Sequence, residues 1–429
     1  MFLTPIFQIP DEASHFSLIQ IIAETGKRPN PRRDLITSQE VFQVSKIIRF
    51  NWKIQHPVRQ DYSGNWYREL TQISPTEKNN FVRNPDITSL KRPPLYYWLG
   101  SLVYRLTSSS NFLIRFFSLR SLSLIINILT VWVCFKLAGL FFKDQFLSLA
   151  VASLVAFQPL LSFIGNGVHY DSLTILVATV FLHQALVKHF RWAFFLALLG
   201  IFINPNLICL FLIFPFLFSW RKLKLLFPLG LVGLVFILLS RGLDQKIIYL
   251  ANLNEFNQRV NFFLRSLISG KLFNQFWQYL LATGKINLAQ VFPWYWGVFG
   301  WLEKTMPLIV YKIIKIVILV SLIGWLKFII SRTKIKGLWL LILASVINLG
   351  VVVLNDFLIF AQSGDNFGIQ GRYLLPLVSA HMILLVFGLS QLIPTKYHHF
   401  LAAAIIIASF ILNLIGLASL YQFFGWVWS

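Results

Sequence analysis

Few residues in this sequence join reactive chemistry to a suggestive position. Asp11 and Glu12 stand side by side in PDEASHF, residues 10–16, and His15 follows Asp11 at i+4. On a helix starting there, Asp11 and His15 share one face. A carboxylate so placed can take a proton from a hydroxyl or bind a divalent cation, Mg²⁺ or Mn²⁺, with His15 beside it. Acidic residues in a first turn also simply complement the helix dipole. Asp171 poses the same choice, because it follows GNGVHY and opens an apolar run. Carboxylates at a membrane edge are costly and are functional suspects for that reason. His169 reads as a solvated loop residue. Arg372, in GIQGRYLLP, can grip a phosphate bidentately, or with Tyr373 anchor a lipid headgroup. Lys91 and Arg92 offer the same alternatives. The run FPWYWGVFGWLE, residues 292–303 and including Trp296, can stack on a sugar or an isoprenoid, or form an interfacial aromatic belt. No Walker loop, GxSxG, HExxH or CxxC occurs, so nothing points to nucleotide hydrolysis or a soluble cofactor.

These residues need a scaffold, and the composition names its class. Hydrophobic residues make up 56% of 429, and the mean hydropathy is +0.67, which excludes a soluble chain of this length. The expectation is an all-α polytopic membrane protein forming a single domain over 1–429. A net charge of +22 would suggest nucleic acid in a soluble protein. Here Lys and Arg fall in short loops between apolar runs, where they orient the spans and meet anionic lipid. No nucleic-acid partner is expected. Cys134 and Cys209 lie inside apolar runs, which argues against a disulfide framework or a thiolate metal site. MFLTPIFQIPDE has neither a charged n-region nor a cleavage site. It reads as the last turn of a spanning helix whose beginning is absent.

Ten runs approach the ~20 apolar residues a span needs: 115–142, 146–164, 171–187, 192–203, 206–220, 225–240, 308–331, 337–360, 373–393 and 399–424. The runs at 192–203 and 206–220 are short and meet at Asn204-Pro205-Asn206, which suits a shallow hairpin. Loops 10–114 and 241–307 interrupt the series. Within the first, 93–106 would make only about 21 Å of helix against a core of about 30 Å. Its double proline suits a helix start. If 93–106 does not cross, Lys143, Lys188, Arg191, Arg221, Lys222, Lys224, Arg332, Lys334, Lys336 and Lys396 all fall on one side. The opposite side holds 10–114, 165–170, 204–206, 241–307 and 361–372. That is a positive-inside pattern, and it puts Asp11, Asp171 and Arg372 together outside. Thr37-Ser38-Gln39-Glu40 reads as a capping box before Val41, Val44 and Ile48. Leu253, Phe256, Val260, Phe263 and Leu267 form a second stripe. Both suit helices lying at the outer interface.

PDEASHF, KRPPLYYWL (91–99), FQPLLSFIGNGVHYD (157–171), WYWGVFGWLE (294–303) and QGRYLLP (370–376) occur in that order. Together they resemble the bacterial membrane family known as domain of unknown function 2142. That family is similar in turn to the GT-C superfamily of integral-membrane glycosyltransferases. The resemblance implies a GT-C-like fold in the cytoplasmic (inner) membrane with its site on the extracytoplasmic face. It also implies that Asp11, Glu12 and Asp171 are the acidic residues of catalysis, and that 93–106 is non-crossing. Arg372, Lys91 and Arg92 would face the phosphate of a polyprenyl-phosphate-linked sugar donor, with membrane lipid around its chain. The family carries a complete span before the acidic pair, which this sequence lacks. A lipid-linked-sugar transporter or flippase, or a non-catalytic envelope-assembly protein, is the alternative.

Overall fold

The computed structural model describes residues 4–30, 34–52, 65–217, 265–266, 269–270, 272–331, 337–364 and 368–424. The expected run at 225–240 and the stripe from Leu253 to Leu267 lie outside the described residues, as do the last residues of the run at 206–220.

The loop 10–114 is a packed unit. It holds α1 (Glu12–Thr25), α2 (Gln39–Ile47), α3 (Trp66–Gln72) and α4 (Leu95–Leu106), with β1 (Ile36–Ser38) antiparallel to β2 (Phe81–Arg83). Residues 4–11 run as turns, not as the end of a helix, because the Thr4 and Pro5 carbonyls accept hydrogen bonds from Arg120. α2 starts one residue later than its sequence suggests. Ser38, not Thr37, is the cap and accepts from the Val41 amide, while Thr37 pairs with Ser17 in the strand region. Val41, Val44 and Ile48 are fully buried, so α2 packs into protein and not onto lipid. Glu40 is drawn away from the cap to a buried ion pair with Arg115, a helix residue 75 positions later.

α5 (Phe112–Ala138) begins at Asn111, whose side chain accepts from the Ile114 amide. α4 lies antiparallel against its first half only. The Tyr104 hydroxyl accepts from Arg115, and the Tyr96 hydroxyl lies 3.2 Å from Ser123 Oγ. Both ends of α4 therefore sit beside residues 112–123 of one long helix.

The helices after it are α6 (Gln145–Ala156), α7 (Pro159–Ile164), α8 (Asp171–Leu186), α9 (Phe190–Ile201), α10 (Ile208–Leu217), α11 (Leu272–Trp296), α12 (Leu308–Ile330), α13 (Leu338–Ser363), α14 (Val378–Ser390) and α15 (His398–Phe424). A small hairpin, β3 (Val298–Phe299) with β4 (Lys304–Thr305), links α11 to α12. Among the described residues five helices are long and apolar enough to span: Phe112–Ala138, Leu308–Ile330, Leu338–Gln362, Gly371–Ser390 and Thr395–Phe424. Of the rest, α11 has 25 residues but is not apolar enough, and the others are shorter. The run at 146–164 breaks at Gln158-Pro159, where the glutamine caps α7 and the proline takes its first position. Long apolar side chains remain open on these helices, such as Trp132 at 58%, Ile316 at 59% and Ile330 at 78%. Such faces suit hydrocarbon, not water.

The turns sort into two ends of the bundle. Phe142 packs on Phe387, and a side chain at Gly337 would strike Leu186 and approach Phe141, so the turns near 142, 187, 337 and 391 are neighbours. At the other end the Leu95 amide donates to the Phe202 carbonyl, and Asn127 donates to the Gly165 carbonyl. Among the described residues, the turns that carry Lys143, Lys188 and Lys396 thus lie away from the segment at 165–171.

Two measurements follow. Ser109 and Lys143 are exposed at opposite ends of α5, whereas the native Cys134 and Cys209 are buried. Cysteines at 109 and 143 should react with a membrane-impermeant thiol reagent from opposite sides, Lys143→Cys from the cytoplasmic one. Labelling of both from one side would refute the topology. Arg120→Ala leaves the fully buried Glu12 carboxylate uncompensated, at a cost of about 3–5 kcal/mol. Folded protein recovered from membranes should fall sharply relative to an exposed control such as Lys143→Ala.

Candidate functional site

Adjacent carboxylates on the first turn of α1 have opposite fates. Glu12 is 0% exposed. Its Oε1 accepts from Arg120 Nε at 2.8 Å and the Val168 amide at 3.0 Å. Its Oε2 accepts from Arg120 Nη2 at 2.8 Å and the Phe7 amide at 3.1 Å. An ionised carboxylate has about four acceptor positions, and these are filled. Glu12, expected among the catalytic acids, is therefore a structural tie with no lone pair left for substrate.

Asp11 turns the other way. Its backbone is left-handed, φ 62°, a conformation that Asp and Asn tolerate better than most residues. Its Oδ2 lies 3.4 Å from Arg372 Nη2. Burial alone would raise its pKa. The positive charges of Arg372 and Arg92, with His15 adding to them when protonated, outweigh that and hold it below the usual carboxylate range. His15, one turn on, is buried, and its Nδ1 is 2.8 Å from the Tyr97 hydroxyl of α4. Burial pushes its pKa down to about 3, with Asp11 opposing and Arg92 and Arg372 assisting.

The GNGVHYD loop supplies the facing wall. Gly167 is required because a Cβ there would strike Ile9. His169, expected as a solvated residue, is 0% exposed and packs perpendicular to His15, with ring centroids 4.6 Å apart. The Glu12 carboxylate draws the loop inward through the Val168 amide, and this buries the ring. His169 Nδ1 accepts from the Asp171 amide at 3.1 Å and lies 3.3 Å from Asp171 Oδ2. Burial holds its pKa well below the ordinary value, helped by the charges of His15, Arg372 and Arg92. Tyr170 stacks on His169, and the Arg92 guanidinium lies over Tyr170 at 5.4 Å.

Arg372 enters from the 3-10 turn Gly371–Leu377. A Cβ at Gly371 would collide with the backbone of Trp294 and Tyr295, so glycine lets this turn lie against α11. Arg372 Nε and Nη1 are buried without a hydrogen-bond partner among the described residues. Asp171 sits within the field of Arg372, Arg92 and Asp11. Asp11, His15, Arg92, His169, Asp171 and Arg372 thus share one site, and Tyr373 borders it beneath the Arg372 guanidinium. Trp296 does not join them: it is buried against Tyr295, so this part of the aromatic run is core and not an interfacial belt. The side chain of Lys91 lies outside the described residues. Asp11, His15 and His169 could hold a metal ion, each offering a ligand atom within 4.8 Å of the others. His169 was missed in the sequence because nothing local marks the loop as buried.

The sequence pattern of the DUF2142 family, described as a predicted membrane protein, matches residues 1–380, and the chain belongs to that family. With its five long apolar helices it is a multi-pass membrane protein. No curated protein and no solved structure matches it.

Asp11→Asn should keep the fold, since asparagine accepts the left-handed backbone, whereas Asp11→Val adds roughly 1–2 kcal/mol of backbone strain. Thermal unfolding of the purified variants would show it: a midpoint for Asn near wild type and a clearly lower one for Val. Equal midpoints would contradict the strained backbone.

Proposed function

We propose that this member of the DUF2142 family is a GT-C-type membrane glycosyltransferase. It moves a sugar from a polyprenyl-phosphate donor to an acceptor hydroxyl at the outer face of the cytoplasmic membrane. One observation supports the reading: two carboxylates and two guanidiniums from four remote segments converge in one site.

That set matches the charges of the reaction. The bond from the sugar anomeric carbon to the phosphate oxygen breaks, and the phosphate keeps the electron pair. Arg372 offers unpaired donors for it, and Arg92 adds positive charge beside it. The acceptor oxygen bonds to the anomeric carbon and gives its proton to a carboxylate. Asp11 is that base unless it binds a cation, in which case Asp171, bound to no guanidinium among the described residues, takes the proton. A divalent ion at Asp11 would supply further stabilisation of the departing phosphate. An apolar crevice beside Arg372, walled by Pro10, Leu160, Phe163 and Trp294, suits the first isoprene units of a donor whose chain stays in lipid.

The test is consumption of polyprenyl-phosphate sugars by membranes containing wild-type or Asp11→Asn protein. Loss of a base or its metal should lower the rate by about 10²–10⁴-fold with insertion unchanged. Equal rates would remove Asp11 from the mechanism. Movement of intact donor across the bilayer with no sugar transferred would favour a flippase.

A further inference from the structure

We infer that Asp11, His15 and His169 form a binding site for one divalent transition-metal ion of the zinc, cobalt or manganese class. The ligands are an Asp11 carboxylate oxygen and the Nε2 atoms of both imidazoles. The inference rests on donor geometry and stands apart from the glycosyl-transfer reading.

Three features meet here. Asp11, His15 and His169 each offer one ligand atom within 4.8 Å of the others. Bonds of about 2.0–2.2 Å to a tetrahedral ion put ligand atoms roughly 3.3 Å apart, so closure asks for side-chain shifts of about an ångström. Next, His15 is 1% and His169 0% exposed, and Nε2 of each has no hydrogen-bond partner among the described residues. A buried nitrogen left unpaired is costly, and one ion satisfies both. Last, the other ring nitrogens are anchored: His15 Nδ1 at the Tyr97 hydroxyl and His169 Nδ1 at Asp171. Metal-binding imidazoles are oriented by such contacts through the second nitrogen. Binding at Nε2 of His169 moves the ring proton to Nδ1, and the contact there changes from the Asp171 amide to its carboxylate.

The donor set chooses the metal class. Two imidazoles and one carboxylate suit borderline ions, whereas Mg²⁺ favours oxygen ligands in near-octahedral array. His169 therefore shifts the expectation away from magnesium. Two carboxylates, Asp11 and Asp171, stand among the two guanidiniums of Arg372 and Arg92 at this site.

The experiment uses the full chain in detergent, stripped with chelator and titrated with Co²⁺ while visible d–d bands are followed. Zn²⁺, Mn²⁺ and Mg²⁺ then compete. The expected result is one Co²⁺ per chain, displaced by Zn²⁺ but not by equimolar Mg²⁺, with affinity at least tenfold weaker in His169→Ala and unchanged in Lys143→Ala. Co²⁺ should raise the melting midpoint of wild type and not of His169→Ala. Absence of bands in wild type, affinity in folded His169→Ala equal to wild type, or equal competition by Mg²⁺ would overturn the site. If His169→Ala fails to fold, the wild-type stoichiometry and the Mg²⁺ competition still decide. Metal binding without sugar transfer would leave the site standing and remove only the proposed reaction.

Discussion

The bidentate pair between Glu12 and Arg120 is the contact on which the site's shape depends. Arg120 also donates to the Thr4 and Pro5 carbonyls, while Glu12 accepts from the Phe7 and Val168 amides. One buried ion pair thus fixes the chain before α1, the start of α1, the long helix α5 and the loop before α8. Two charges out of water are costly, and the cost is met only because every lone pair and most guanidinium protons have partners. Removing either partner exposes the full desolvation penalty of the other.

That tie explains why neighbouring acids differ. With Glu12 pulled toward Arg120, the left-handed backbone of Asp11 sends its carboxylate to the opposite side, toward Arg372. The bond from Glu12 to the Val168 amide draws the GNGVHYD loop inward, which buries His169 against His15. A structural carboxylate therefore positions the reactive one and both imidazoles. The aromatic packing of Phe7, Phe16, Phe112 and Phe116, at centroid distances of 5.1 to 6.3 Å, holds this arrangement from behind.

The unit formed by 10–114 repeats the device one layer out. Glu40 pairs with Arg115 and Gln20, and Tyr104 joins them. α1 and α4 run side by side, with Ile19 against Gly100 and Arg105 donating to the Ala23 carbonyl. They present His15 and Tyr97 at their inner ends, level with the middle of α5. The site is consequently walled by α1 and α4 as well as by the longer helices.

The sequence alone determined the class and most of the layout. Apolar run lengths and the placement of Lys and Arg gave a helical membrane protein, a segment at 93–106 that is short for a span, and the expectation that Asp11, Asp171 and Arg372 lie together. Those signals are local, since the burial of a helix in lipid depends on its own composition. Tertiary structure decided the roles. Nothing in PDEASHF says that Glu12 meets Arg120, 108 residues away, or that Asp11 does not. His169 has no helical spacing to mark it and becomes buried only when Glu12 captures the Val168 amide. Val41, Val44 and Ile48 make a stripe that fits lipid or protein equally well. Contacts between distant segments chose protein, because Arg115 pulled Glu40 inward and the stripe followed it.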